Sequence, residues 1–217
     1  MARRTPLTAH RIVEAAVAVA DRGGLDQVSM RHVGRELGVE AMSLYHHLAG
    51  KDALLDALAS WAWSQIELPG PEEPWRAAMA ARAGSARAVL AAHPWALGLV
   101  ESRRSPGPAL LRHHEAVLAN LRTNGFSIQL AAHAFSAIDS YVYGFVLTEQ
   151  NLPFEADETA EDFVEQIAHL LPADEYPHMV ELIEAQVVGK DYAYADEFPD
   201  GLELILDGLQ RRLAAQA

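Results

Sequence analysis

Three prolines within six residues, Pro69, Pro71 and Pro74, interrupt a chain whose apolar residues otherwise recur at helical spacing. Proline removes a backbone donor and clashes with the preceding turn, so no helix continues through this segment. On both sides of it, apolar residues repeat every three or four positions and glycine or proline ends each run. No stretch shows the alternation typical of a strand. The chain is therefore predicted to be all-α and to be organised in two parts.

The amino-acid composition excludes several classes of protein. The 217 residues are 50% hydrophobic and 22% charged, which is ample apolar material for a buried core. There is no cysteine, so disulfides, zinc fingers and thiol chemistry are excluded. No continuous apolar run approaches the roughly 18 residues of a membrane span, and the amino terminus lacks a signal-peptide pattern. We therefore expect a cytoplasmic protein.

Charge is distributed unevenly between the two parts. The net charge is −13, which taken alone argues against a nucleic-acid partner. Residues 1–51, however, hold seven basic and five acidic residues, whereas the remainder holds ten basic and 25 acidic residues. This asymmetry indicates that the two parts have different tasks.

The segment 29–47 reads S-M-R-H-V-G-R-E-L-G-V-E-A-M-S-L-Y-H-H and carries the clearest functional pattern. Ser29 is suited to cap a short helix, and Gly38 is suited to end it in the left-handed conformation. A second short helix is predicted over about residues 40–47. Together they form a helix-turn-helix, whose second helix enters the major groove of DNA. A helical hairpin with a glycine turn can mimic this pattern, and Tyr45 can equally be a core residue.

The outer side of this unit offers small, hydroxyl, imidazole and basic side chains. Ser29 and Arg31 open the first helix, where backbone N–H groups favour a phosphate, and Lys51 can neutralise another phosphate. Contacts from the second helix would specify the base sequence. The candidate DNA-binding residues are Ser29, Arg31, Ala41, Met42, Ser43, Tyr45, His46, His47 and Lys51.

Six short motifs stand in a fixed order in the first part of the chain. They are I-V-E-A-A at 12–16, G-L-D at 24–26, S-M-R at 29–31, L-G-V at 37–39, L-Y-H-H at 44–47 and K-D-A-L-L at 51–55. Together they resemble the tetracycline-repressor family of bacterial transcriptional regulators over residues 8–66. The resemblance implies a three-helix DNA-binding domain joined by a fourth helix to a helical ligand-binding and dimerising domain. It also places the nine candidate residues at positions that touch DNA.

The domains expected on this basis are a helix-turn-helix domain at 1–50, a connecting helix at 51–67, and a ligand-binding and dimerisation domain at 68–217. The last of these resembles the tetracycline-repressor subgroup through N-G-F-S at 124–127, G-F-V-L at 144–147 and G-L-E at 201–203. The resemblance implies that the helices at 127–150 and 200–215 pair with their copies as a four-helix dimer interface.

One position departs from that subgroup, in which an acidic residue after the Val-Leu pair of the long helix helps bind a metal–drug complex. Here Thr148 follows that pair, and Glu149 comes one step later. One step along a helix is a rotation of about 100°, so we expect this carboxylate to point elsewhere. The identity of the effector is therefore left open.

A mostly apolar pocket with a few polar groups is expected among the helices at 75–93, 108–123 and 127–150. Asp139, an acid among apolar residues, is interpreted either as a polar anchor for a ligand amine or hydroxyl, or as an acid at the surface or dimer interface. The candidate ligand-binding residues are Trp95, Leu110, His114, Val117, Phe135, Ile138, Asp139, Tyr141 and Val142.

No metal or cofactor is predicted. The histidines His93, His113, His114 and His133 show no convincing ligand spacing with an acid, so they are interpreted as isolated capped or surface residues. The tryptophans at 61, 63, 75 and 95 are interpreted as core residues rather than as stacking platforms for a cofactor.

These features favour a ligand-responsive DNA-binding regulator, most simply a repressor, that binds a palindromic operator as a homodimer. An enzyme is disfavoured because the sequence has no G-x-S-x-G, P-loop, G-x-G-x-x-G or H-E-x-x-H motif. The remaining alternative is a helical small-molecule-binding protein with a vestigial DNA-binding unit. The acidic second part fits that alternative, but the intact segment 29–51 does not.

Overall fold

A computed structural model describes residues 6–102, 107–153 and 158–216 of the chain. Within these ranges the regular structure is helical and contains no strand, which confirms the all-α prediction there. The helices are α1 (Ala9–Gly23), α2 (Met30–Leu37), α3 (Ala41–Leu44), α4 (Lys51–Gln65), α5 (Trp75–Ala92), α6 (Pro94–Ser102), α7 (Pro108–Thr123), α8 (Ile128–Glu149), α9 (Ala160–Ile167), α10 (Pro177–Gln186) and α11 (Glu197–Ala214).

Several helices begin or end at residues that cap them. The side chain of Thr8 caps α1 by accepting the backbone N–H of Arg11 at 3.3 Å. Ser127 caps α8 in the same way, accepting the N–H of Leu130 at 3.2 Å. Gly24, with a φ of 71°, stops α1. These contacts satisfy backbone groups that a helix terminus otherwise leaves without partners.

The second helix of the helix-turn-helix is shorter than predicted. α3 covers only Ala41–Leu44, and the chain continues as a turn through residues 45–47. The N–H of His47 donates to the carbonyl of Leu44 at 2.9 Å, a three-residue spacing that is tighter than that of an α-helix. Gly50, with a φ of 127°, then turns the chain into α4. The prediction of a regular helix as far as residue 47 is therefore wrong in extent.

The first part of the chain packs around a small core. α1 contacts α2 and α4, and α2 contacts α3. Ile12, Val33, Leu44 and Leu54, one from each of these four helices, are fully buried. Burial of such side chains stabilises the unit by about 1.5–3 kcal/mol each, relative to leaving them in water.

The second part is built on α8, which contacts α5, α7 and α11. By length and composition alone this 22-residue helix could cross a membrane. Its inner face instead packs in the core, where Ala134 and Ile138 are fully buried. Trp63, Trp75 and Trp95 are also buried, which confirms their interpretation as core residues.

The proline-containing segment is held in place by two asparagines of α7 and its cap. The buried side chain of Asn120 donates to the carbonyls of Gly70 and Glu73 at 2.7 and 2.9 Å. The side chain of Asn124 donates to Glu73 as well and accepts the backbone N–H of Trp75, where α5 begins. The break in helical structure is thus an ordered corner between α4 and α5.

Candidate functional site

Glycine allows α2 and α3 to approach closely. Gly38 adopts the left-handed conformation, with φ 66° and ψ 33°, and so turns the chain sharply after α2. A Cβ at Gly34 would lie 3.0 Å from the carbonyl oxygen of Val39 and 3.3 Å from the nitrogen of Ala41. These backbone contacts leave no room for a larger side chain. The angle between the two helices is therefore set by glycine on one side and by the buried Leu44 on the other.

The outer side of this unit is open to solvent. Met42 is 71% exposed and Tyr45 is 49% exposed, so Tyr45 is not a core residue. Of the other candidate DNA-binding residues, Arg31, His46, His47 and Lys51 are exposed, and Ser29, Ala41 and Ser43 are half-buried. The Ser29 hydroxyl caps α2 by accepting the N–H of His32 at 3.2 Å. Met42 and Tyr45 lie close together in sequence on one exposed side of the unit, and contiguous exposed apolar surface can mark an interaction site.

The second part of the chain contains a buried polar cluster that the sequence did not predict. Arg82 of α5 is only 2% exposed. Its Nη2 lies 2.6 Å from Oδ1 of Asp139 on α8, and its Nε donates to Nε2 of His113 on α7 at 2.7 Å. Three helices therefore meet at a single guanidinium group.

Burial determines the protonation of this cluster. Desolvation, and then the positive charge of Arg82, lower the pKa of His113 to about 3, so its ring is neutral at pH 7. Desolvation also lowers the pKa of His114. Desolvation raises the pKa of Asp139, whereas the charge of Arg82 and its hydrogen bond to the carboxylate act to lower that pKa. The site therefore combines one ion pair with neutral imidazoles.

Aromatic rings surround the cluster. The guanidinium carbon of Arg82 lies 5.4 Å from the centre of the Phe135 ring, and His114 contacts the same ring edge-on at 4.7 Å. Trp63 of α4 packs on His113, with ring centres 4.9 Å apart. A stacked cation and edge-to-face rings are favourable arrangements.

Only some of the predicted ligand-binding residues lie together. His114, Phe135 and Asp139 surround Arg82, and Leu110 lines a cavity of about 30 Å³ with Trp63. The remaining members of the set lie elsewhere or in the solid core: Trp95 at the contact between α1, α4 and α6, Tyr141 against α11, and Val117, Ile138 and Val142 in the core.

One interpretation made from the sequence is wrong, and one set of alternatives is narrowed. His113 is fully buried and accepts a hydrogen bond from Arg82, so it is not a surface histidine. Asp139 is 8% exposed and paired with Arg82, which excludes only the surface acid among the alternatives left open for it. Arg82 was missed because an arginine in an alanine-rich helix usually faces solvent. Its spacing from the buried alanines at 78 and 86 was the one available signal.

The carboxylate of Glu149 on α8 is paired with the guanidinium group of Arg87 on α5. Nη2 of Arg87 lies 2.5 Å from Oε1, and Nε donates to Oε2 at 3.2 Å. The guanidinium group also lies 5.2 Å from the ring centres of Phe145 and Phe198. Among the described residues, no group of three or more histidine and acidic side chains is arranged to hold a metal ion.

A polar contact at Asp21 joins the two parts of the chain. Oδ1 of Asp21, on α1, accepts hydrogen bonds from Nε1 of Trp95 at 2.6 Å and from Nδ1 of His93 at 2.7 Å. Trp61 of α4 packs edge-on against His93 and stacks on Trp95. The carboxylate of Asp21 on α1 is therefore bound by the cap of α5 and by α6, and α4 packs on both of the rings that bind it.

Two family descriptions match this chain. "Bacterial regulatory proteins, tetR family" matches residues 12–58, and "Tetracyclin repressor-like, C-terminal domain" matches residues 68–213. The HTH-type transcriptional repressor DrrR1 of Streptomyces coeruleorubidus is 37% identical over 213 residues, covering 94% of this chain and 77% of that protein. The tetracycline repressor protein class A from transposon 1721 of Escherichia coli is 32% identical, covering 96% and 93%.

Solved structures show the same arrangement of helices. Apo ActR from Streptomyces coelicolor matches with a TM-score of 0.79 at 28% identity, covering 98% of this chain and 99% of that chain. The complex of ActR with actinorhodin matches with a TM-score of 0.75 at 30% identity, covering 96% and 99%. Both parts of the chain, and their order, therefore occur in these relatives.

Proposed function

Since this chain belongs to the tetR family of bacterial regulatory proteins and is a ligand-responsive transcriptional repressor, we propose that it binds a near-palindromic operator as a homodimer and is released by a small-molecule effector. The observation that carries this proposal is the exposed outer face of the α2–α3 unit, joined through α4 to a helical part with its own buried polar site. The protein acts by binding rather than by catalysis, in the cytoplasm where its DNA is accessible.

The boundaries of the proposed domains follow the helices. Residues 1–50 form the DNA-binding domain, 51–67 the connecting helix, and 68–217 the ligand-binding and dimerisation domain. The ranges matched by the two families support this division. Packing supports it as well, because α4 contacts α1 on one side and α6 and α7 on the other.

The nine candidate residues at the first domain contact the operator. Arg31 and Lys51 neutralise phosphates and set the register, while Met42, Tyr45 and His46 lie against the bases. The exposure of six of the nine, which are Arg31, Met42, Tyr45, His46, His47 and Lys51, supports this assignment. Each dimer presents two such units about one helical turn of DNA apart, roughly 34–36 Å, so the two half-sites form an inverted repeat.

The dimer forms through α8 and α11. Leu204 of α11 is 76% exposed and Leu147 of α8 is 56% exposed, although both helices are otherwise core elements. An exposed leucine on each of two helices that contact one another offers apolar area that a second copy can bury. This agrees with the interface at 127–150 and 200–215 that the family resemblance implies.

The effector binds among α5, α7 and α8, near Arg82, His114, Phe135 and Asp139. The complex of the related protein ActR with actinorhodin supports a small-molecule site in this fold. In one conformation of the dimer the two helix-turn-helix units are spaced incorrectly for the operator. An effector that binds only this conformation shifts the population towards it and lowers the affinity for the operator. α4 carries the change, because it packs on both the effector domain and α1.

Selection of bound duplexes from a pool of genomic fragments, at physiological salt, tests this function. We expect recovery of one inverted repeat, and binding that weakens steeply as salt rises because counterions are released from phosphates. The matched control is the same duplex with one half-site scrambled, which should lose most of the affinity. Recovery of no preferred sequence by a folded dimer would instead support a ligand-binding protein with a vestigial DNA-binding unit.

A further inference from the structure

A cavity of about 410 Å³ lies at the carboxyl end of α8, between α9 and the segment that leads into α11. Small-molecule sites in proteins usually measure about 300–1,000 Å³, so this cavity is large enough for a ligand. The proposed effector site surrounds Asp139, whereas this cavity begins at Glu149, ten residues later on the same helix. Ten residues of helix span about 15 Å, so the two sites are separate.

Contacts between the surrounding elements fix the walls of this cavity. The ring of Tyr194 stacks on Phe145 of α8, with ring centres 4.6 Å apart. The backbone N–H of Gly189 donates to Oε1 of Glu161 on α9 at 3.1 Å. The segment 189–195 is thereby attached to α9 at one end and to α8 at the other. The cavity is therefore formed by the fold before any ligand binds.

The lining of the cavity is negatively charged. The described lining contains four acids and no lysine or arginine. One acid, Glu149, is neutralised by Arg87, whose Nη2 lies 2.5 Å from its carboxylate. The other three are Glu158, Glu161 and Asp191. Lys190 is the only lysine or arginine between positions 149 and 207, and its ammonium group donates to the backbone carbonyl of Ala185. A concave surface of one sign focuses the field and attracts ions of the opposite charge.

The rest of the lining favours an organic cation over a metal ion. Among the described residues, no three histidine or acidic side chains are arranged to hold a metal ion. The lining instead includes Tyr192, Tyr194 and five aliphatic residues. Aromatic rings attract cations through their faces, and quaternary ammonium groups are bound in this way. We propose that this cavity binds an organic cation, in which a quaternary or protonated amine is attached to an apolar body. The inference goes beyond the proposed function, because neither the operator nor the effector requires this site.

The cavity remains accessible in the proposed dimer. Leu147 belongs to the proposed dimer surface of α8, and Glu149 follows two residues later. Two steps along a helix are a rotation of about 200°, so the cavity lies on the other side of α8 from that surface. Asp191 and Ala193 of the lining are exposed, which gives a ligand a route into the cavity from solvent.

Equilibrium dialysis of the full-length protein against three probes of similar shape tests the ligand class. The probes are benzyltrimethylammonium, its uncharged isostere neopentylbenzene, and the anion phenylmethanesulfonate. We expect the cation to bind about tenfold more tightly than the uncharged probe, and the anion not to bind. Binding of the cation should weaken as salt rises. Failure of the cation to bind, equal binding of the cation and the uncharged probe, or a preference for the anion would overturn the proposal.

A matched pair of acids on α9 locates the binding site. Glu161→Gln removes one charge but retains an acceptor for the N–H of Gly189, and should weaken binding of the cation about threefold. Glu165→Gln is the control, because Glu165 is exposed on the same helix and does not line the cavity. It should leave the affinity unchanged. Equal losses in the two variants would mean that only the net charge of the protein matters, which contradicts the assignment of the site.

Substitutions of Tyr192 separate the role of its ring from that of its hydroxyl. Tyr192→Phe removes the hydrogen bond to Glu197 but keeps the ring, so it should bind the cation as tightly as the unaltered protein does. Tyr192→Leu removes the ring and should weaken binding about fivefold. If these variants do not fold, the ring resonances of Tyr192 and Tyr194 in the unaltered protein should shift when benzyltrimethylammonium is added. Unmoved resonances with the cation bound would place it elsewhere and overturn the proposal.

Discussion

The indole nitrogen of Trp95 donates a 2.6 Å hydrogen bond to Asp21, so a side chain of α6 is tied directly to a side chain of α1. The same carboxylate oxygen accepts a hydrogen bond from His93. Trp61 of α4 packs against His93, which caps α5, and against Trp95 of α6. One carboxylate therefore connects α1, in the proposed DNA-binding domain, to the cap of α5 and to α6.

Asp21→Ala should loosen this connection. It removes two hydrogen bonds to a charged but partly exposed acceptor, so we expect the free energy of unfolding to fall by about 1–2 kcal/mol in urea titration. The ratio of operator Kd values with and without effector should also fall, because α6 no longer acts on α1. Asp26→Ala, which changes another exposed acid of the same domain, is the control. A variant with unaltered coupling would show that α4 alone transmits the signal.

Tyr45→Ala should weaken sequence-specific operator binding. Tyr45 is half exposed on the proposed DNA face, and its loss removes a direct contact worth about 1–3 kcal/mol, which raises the operator Kd roughly 5- to 150-fold. Dimerisation and thermal stability should be unchanged. Tyr176→Ala, at a tyrosine exposed outside this face, is the matched control for gel-shift titration. Unchanged operator affinity would remove Tyr45 from the contact set.

Gly34→Ala should destabilise the helix-turn-helix. The added methyl group would lie 3.0 Å from the carbonyl oxygen of Val39, a backbone atom that moves only if α2 and α3 separate. We expect a loss of about 1–3 kcal/mol, as in other overpacked sites. Gly84→Ala is the control, because nothing lies within 4 Å of its added methyl group in the middle of α5. That variant should gain up to about 1 kcal/mol in urea unfolding.

Local chemistry made much of the fold predictable from sequence. Caps such as Thr8 and Ser127, and the left-handed Gly38, mark helix ends through contacts within a few residues. The buried site was less predictable, because the environment of Asp139 depends on Arg82, which lies on a different helix. Periodicity places Arg82 on the buried face of its helix, but it does not indicate which residue of another helix is its partner.

Acidification should destabilise the protein through His113. Its pKa is lowered to about 3 in the folded chain, against 6.5 as the ordinary value, so the unfolded state takes up the proton first as pH falls. The contribution of neutral His113 to the free energy of unfolding is complete above about pH 6.5. Below that pH the free energy of unfolding falls by up to roughly 1.4 kcal/mol per pH unit. Asp139, whose pKa is raised, acts in the opposite direction.

Comparison with His113→Gln isolates this effect. Glutamine retains an acceptor for Arg82 but does not titrate, so the free energy of unfolding of the variant should depend less steeply on pH between 6.5 and 4. Urea titrations at several pH values measure both slopes. Equal slopes in the two proteins would mean that folding does not lower the pKa of His113.

Leu204→Glu should convert the proposed dimer to a monomer. Leu204 is the most exposed large apolar side chain described, and a carboxylate buried between two copies of α11 would lack a partner. We expect sedimentation analysis to give a mass near 23.7 kDa for the variant and twice that for the unaltered protein. Met42→Glu, at a residue of similar exposure on the DNA face, should remain dimeric and lose only operator binding. A dimeric Leu204→Glu variant would place the interface elsewhere.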